Sequence, residues 1–118
     1  MQTDDGIMMI EPTTTASPLP VIDELTRKMA ASWRKRKDSE HGYRGFHTCQ
    51  CGAKSDNLDH FINGVLTNSL CVHYLAHHRA SVPESELAKV RALTDGDVMP
   101  KVEELHSPGF RWGTRSAR

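Results

Sequence analysis

Aromatic side chains are scarce in this chain, with three Phe, two Tyr and two Trp among 118 residues. Such rings supply much of the apolar area of a small core, so any domain built here has a modest interior. Charge of one sign is lacking as well. Fifteen basic and fifteen acidic residues cancel, which removes the overall field that would draw the protein onto nucleic acid or an anionic membrane. No apolar run approaches a membrane-spanning length, and the opening "MQTDDGIMMIEP" has neither the basic n-region nor the long h-region of a signal peptide. A cytoplasmic protein with no membrane partner is the expectation. Cysteine is both rare and odd in number, at three; in a reducing compartment such thiols are metal ligands or redox groups before they are disulfides. No internal repeat is visible.

The organisation follows from composition and period. Residues 1–19 are rich in Thr, Ser, Pro and acid with little apolar pattern, and read as a flexible arm. From Pro20 the pattern changes. Ile22, Leu25, Met29 and Trp33 recur at helical steps, with Asp23 and Glu24 at the positive end and "RKRK" at 34–37 at the negative end. Residues 38–48 lack a helical period and read as a loop running into an extended piece. Asn63-Gly64, between "LDHFI" and "VLTNSL", is a hairpin signal because both residues tolerate positive φ. A helix is expected from Leu70 to Arg79, capped by Asn68 or Ser69 with Leu70, Tyr74 and Leu75 inward. Pro83 opens a third helix with Leu87, Val90 and Leu93 inward, ending at Asp95-Gly96, and a fourth runs from Pro100 to Leu105. The result is a helix-rich α+β domain over 20–106 with its core at about 43–95, followed by a basic and aromatic tail at 107–118. In it, an amphipathic first helix packs on a small hairpin and two or three further short helices.

The distinctive chemistry lies in "CQCGAKSD" at 49–56 and "SLCVHYLAHHR" at 69–79. Zinc takes thiolate and imidazole in tetrahedral array, and a structural site closes all four positions with protein ligands. Cys49 and Cys51 offer two. Gly52 permits the positive φ of a tight turn whose backbone amides can point at the sulfurs and stabilise their negative charge. The order thiol, turn, glycine, hairpin and ligand-bearing helix resembles knuckle-type zinc modules, although their knuckle usually has two residues between the cysteines and this one has only Gln50. Cys71, in the first turn of the expected helix, is the third ligand by the same resemblance, and one zinc ion of structural role is implied.

The fourth position is open among histidines. His73 is the first choice, with His47, His77 and His78 as alternates and His60 further off. A competing set drops Cys71 and takes His73 and His77, which lie at i and i+4 on one helix face, with Cys49 and Cys51. The plain alternative is that buried thiols and half-exposed imidazoles serve packing with no metal. Size supplies a motive for the metal, since a core of this extent is commonly stapled.

Two further features bear on function. Residues 21–40 hold six basic and four acidic groups, and Arg34, Lys35, Arg36 and Lys37, with Arg111 and Trp112 of the tail, form a candidate contact surface for nucleic acid or a partner. A solvated helix end is the simpler reading. Cys71, with His47 and Asp59 or Asn68, has the residue types of a thiol nucleophile site, but no nucleophile motif surrounds it. The balance favours a zinc-binding, non-catalytic adaptor or inhibitor module acting through protein contacts. Nucleic-acid binding, or a small cysteine- or zinc-dependent hydrolase, are the alternatives.

Overall fold

The structure, a computed structural model, describes residues 6–38, 48–49, 51–55 and 60–107. His47, Asp59, Arg111 and Trp112 therefore lie outside the described residues. Within them the chain forms a small α+β domain of four helices and a three-stranded antiparallel sheet. No helix among the described residues is long and apolar enough to cross a membrane.

The first helix, α1, spans Glu24–Arg34. It starts later than the Pro20 expected from its period, because Asp23 is the N-cap and accepts the Thr26 N–H at 3.2 Å. Upstream residues are held elsewhere, the Val21 N–H donating to the Ala76 carbonyl at 2.8 Å. Met29 and Trp33 face the core as the spacing predicts, with Leu25 packed against it, and Ala30 is buried as well. Of "RKRK", only Arg34 is in the last turn; Lys37 belongs to β1, Lys37–Asp38, which the sequence reading placed at a helix end. β1 pairs with β2, His60–Ile62, and β2 with β3, Val65–Thr67. Asn63 and Gly64 join β2 to β3 with φ of 53° and 81°. Two successive positive φ values match the right-handed twist of paired strands, which is why Asn-Gly suits this turn.

The second helix, α2, spans Cys71–His77 and is buried at all seven positions. Leu70, Tyr74 and Leu75 are inward as expected, but so is every other face. Asn68 Oδ1 accepts the Leu70 N–H at 2.7 Å, and the Cys71 N–H reaches the Asn68 carbonyl at 3.2 Å, so one residue satisfies the helix start. α2 stops two residues short of the expected Arg79. His78 leaves helical geometry with φ −131° and ψ 38°, and a 3-10 turn, Arg79–Ser81, follows. α3 spans Glu84–Arg91, with Val90 and Leu93 buried and Leu87 packed against the core. α4 is short, Val102–Leu105, its start fixed by the Lys101 N–H donating to Glu104 Oε1 at 2.7 Å.

The largest departure from the sequence reading concerns residues 6–19, which were expected as a free arm. Ile7 and Met8 are buried, at 3% and 0% exposure. Gly6 pairs in parallel with Leu66 on the outer side of β3, the Ile7 N–H donating to the Leu66 carbonyl at 2.8 Å and Thr67 Oγ1 returning to the Ile7 carbonyl at 2.8 Å. The segment then crosses α2, where the Ser17 N–H meets the His77 carbonyl at 2.9 Å. Residues 6–21 thus form a strap. Composition misled here because two buried apolar side chains, Ile7 and Met8, together with backbone hydrogen bonds dock the segment, and neither leaves a periodic pattern.

Asp23 also ties α1 to the turn after α2, since Arg79 grips both its oxygens at 2.7 and 2.8 Å. The Arg79 guanidinium holds the Asp23 carboxyl well below the ordinary carboxylate range. A group with a depressed folded pKa stabilises above its unfolded value and loses that contribution as pH falls through the folded one. Stability should therefore decline in acid, from about pH 4 downward. Asp23→Ala is expected to cost about 1 kcal/mol through the lost cap. A double-mutant cycle with Arg79→Ala, read by denaturant unfolding, should give a coupling of about 0.5–1 kcal/mol for this half-exposed pair, vanishing in strong acid.

Candidate metal centre

Cys49 and Cys51 sit on a tight turn. Thr48 and Lys54 form an antiparallel bridge, the Cys49 N–H donates to the Ala53 carbonyl at 2.8 Å and the Gly52 N–H returns to the Cys49 carbonyl at 2.8 Å. Gly52 has φ 102°, a left-handed conformation in which a side chain would be strained. The turn faces α2. Cys51 Sγ lies 3.3 Å from His73 Nε2 and Cys49 Sγ 3.1 Å from His78 Nε2. All four ligand atoms lie within 4.8 Å of one another, the group among the described residues that could hold a metal ion. A tetrahedron with zinc–sulfur and zinc–nitrogen bonds near 2.3 and 2.0 Å has edges of roughly 3.3–3.8 Å, so the group needs only small adjustment to close on an ion.

The protons on the imidazoles can be assigned. His73 Nδ1 lies 2.8 Å from the Leu105 carbonyl and His78 Nδ1 3.1 Å from the Thr14 carbonyl. A carbonyl only accepts, so each Nδ1 carries the hydrogen and each Nε2 presents its lone pair to a sulfur. Burial pushes the His73 pKa down to about 4 and lowers that of His78, which keeps both rings neutral at pH 7. Metal-ligating histidines commonly have this arrangement, with the outer nitrogen oriented by a carbonyl. Two thiolates would balance a divalent cation, giving a buried centre without net charge. Cys51 is the half-exposed member; the other three are buried.

The expected ligands separate accordingly. Cys49, Cys51 and His73 converge, and His78, an alternate, joins them. Cys71 is outside the group. It precedes His73 by two residues, about 200° around an ideal helix, so a helix that turns His73 to the thiols turns Cys71 away. Its thiol is fully buried beside Thr67, and burial pushes its pKa up to about 12. That is the opposite of what a thiol nucleophile needs. His77, the partner in the competing set, is also outside. Its Nδ1 donates to the Ser17 carbonyl at 2.7 Å and its Nε2 lies 2.9 Å from Ser107 Oγ, so both nitrogens are occupied. His60 is not in the group, its Nδ1 lying 2.6 Å from Asp38 Oδ1 and its ring edge-on to Trp33.

His78 could have been preferred from sequence because four residues lie between it and His73, inside the three-to-five range of zinc-binding histidine pairs. On a continuous helix the two would diverge by about 140°. The break after His77 removes that objection, and no residue type announces it. In the basic stretch, meanwhile, Arg34 and Arg36 have acidic partners within the molecule. Arg34 pairs with Glu104 and the Met99 carbonyl, while Arg36 lies 4.0 Å from the Trp33 ring centre and pairs with Asp38 at 2.9 Å. Lys35 and Lys37 are exposed.

No protein-family model, no curated protein and no solved structure matches the chain. The geometry carries the functional reading alone.

Substitution separates the ligand sets. Cys71→Ser should leave metal content at the wild-type level, whereas Cys49→Ser and His78→Ala should each lower it severalfold, as read by elemental analysis after gel filtration. Metal lost from Cys71→Ser but retained by His78→Ala would reverse the assignment.

Proposed function

We propose that this chain is a zinc-binding module in which one structural ion, held by Cys49, Cys51, His73 and His78, staples an undersized core and presents the domain to a protein partner as a non-catalytic adaptor or inhibitor. The observation that carries the metal is the matched pair of imidazoles, each with Nδ1 on a carbonyl and Nε2 on a thiol sulfur. Zinc is favoured over harder cations by the two sulfurs and two nitrogens, and over redox metals by its preference for four-coordinate tetrahedral sites. Four protein ligands leave no position for a reactive water, which favours structure over hydrolysis.

A protein partner is favoured over nucleic acid because Arg34 and Arg36 already have internal counterions. Surface apolar side chains are available for such a contact in Leu19, Met99 and Val102, at 78%, 65% and 54% exposure. An adaptor or inhibitor needs only such a surface and a rigid frame behind it. Zinc binding would supply the frame, since its binding free energy becomes folding free energy.

Protein purified without added metal should carry about one equivalent of zinc, and a strong chelator should abolish its cooperative unfolding transition. A metal-free product that still unfolds cooperatively would refute the metal. Titration with single-stranded and duplex oligonucleotides at low salt should show no binding; affinity that falls steeply with salt would favour nucleic acid as the partner instead.

A further inference from the structure

The two histidines of the centre are oriented by regions far from them in sequence, Leu105 at the end of α4 and Thr14 in the strap. The Thr14 carbonyl is itself held in place. The N–H groups of Thr13 and Thr14 both donate to Ser81 Oγ, each at 3.1 Å. With both lone pairs of that oxygen taken, its own hydrogen goes to Thr14 Oγ1 at 2.9 Å. The Ser81 N–H in turn donates to the His78 carbonyl at 2.9 Å. These contacts close a ring from ligand to strap to Ser81 and back to the ligand, so one hydroxyl fixes where the strap sits relative to His78.

We propose that Ser81 is a positioning residue for the metal, acting through the Thr14 carbonyl on His78, and that metal binding and docking of the strap are thermodynamically linked. The inference rests on the metal reading above and extends it to regulation of the same site. Linkage is reciprocal: whatever loosens the strap must weaken the metal by the same factor by which metal removal loosens the strap. A signal, modification or partner that engaged residues 13–17 would be felt at the thiols, with no contact to any ligand. Ser81 is the sensitive point because its side chain touches the strap three times while its backbone N–H bonds the carbonyl of His78 itself. The other imidazole is tied to α4 through Leu105, but there the contact is a single carbonyl with no hydroxyl that can be removed.

Two measurements on the full chain test this. Cobalt(II), titrated in place of zinc, reports both affinity and ligand geometry through its visible absorption. Ser81→Ala should bind cobalt about tenfold more weakly, at the lower end of the 10–100-fold loss found when outer groups around a metal are removed, with an altered band shape. Ser81→Thr, which keeps the hydroxyl, should restore both. A Ser81 that served packing alone would lower the thermal stability of the cobalt-loaded protein and leave the affinity and spectrum of wild type. That result overturns the proposal.

Should Ser81→Ala fail to fold, hydrogen exchange of the wild-type protein decides. Chelation should strip protection from the Thr13, Thr14 and Ser17 amides; retained protection there in the metal-free protein refutes the linkage. Wild type that takes up one equivalent of cobalt but fails either test leaves the metal reading standing and removes only this inference. Wild type that takes up none overturns both.

Discussion

A carbonyl oxygen accepts and never donates, and that one-sidedness fixes the protons of His73 and His78 on Nδ1 and aims both Nε2 lone pairs at the Cys49 and Cys51 sulfurs. Much of the molecule is arranged to keep those two carbonyls where they are. Leu105 is placed by α4, whose start is set by Glu104, and Glu104 is clamped by Arg34 at the end of α1. Thr14 is placed by the strap. Each ring therefore draws on an element whose own anchor lies on a different part of the fold, and α2, which carries both rings, is buried on every side because it is what the others pack around.

Helices of seven residues do not persist alone, since nucleation is costly and few hydrogen bonds are gained in return. α2 depends on its surroundings for its existence. It has no side-chain cap from its own first residue and relies on Asn68 instead, and its end is set by the departure of His78 from helical angles. That departure is what allows the two rings to share a site. A longer, more regular helix would be a better helix and a worse metal centre, because His73 and His78 would point apart.

The parts of the fold that were legible in the sequence are those specified by local chemistry. Met29 and Trp33 followed the helical period, Asn63-Gly64 chose its turn, Asn68 sat where a helix begins, and Val90 and Leu93 faced inward as spaced. Cys49 and Cys51 were legible for the same reason, as neighbours on a glycine turn. What could not be read depended on partners distant in sequence. The strap docks through backbone groups that every residue possesses and through Ile7 and Met8, two apolar residues too few to make a periodic pattern. Cys71 drew attention as a thiol near the thiols, yet helical geometry opposes it to His73. Two of the four cations at 34–37, Arg34 and Arg36, pair with Glu104 and Asp38, the first of these seventy residues away from its partner.

The position of the strap along β3 has an effect on the nascent chain. Ile7 covers an edge that Thr67 completes, 60 residues later in the sequence, so the covering piece emerges first and must wait for the strand it will shield. At translation speeds of about 5–20 residues per second that wait lasts seconds. Until residues 6–7 dock, the outer row of amides and carbonyls of β3 is open to any passing chain, and an open row of this kind templates aggregation. A segment synthesised well before β3 is thus the last guard on its edge, and its return closes the window in which two copies could pair edge to edge.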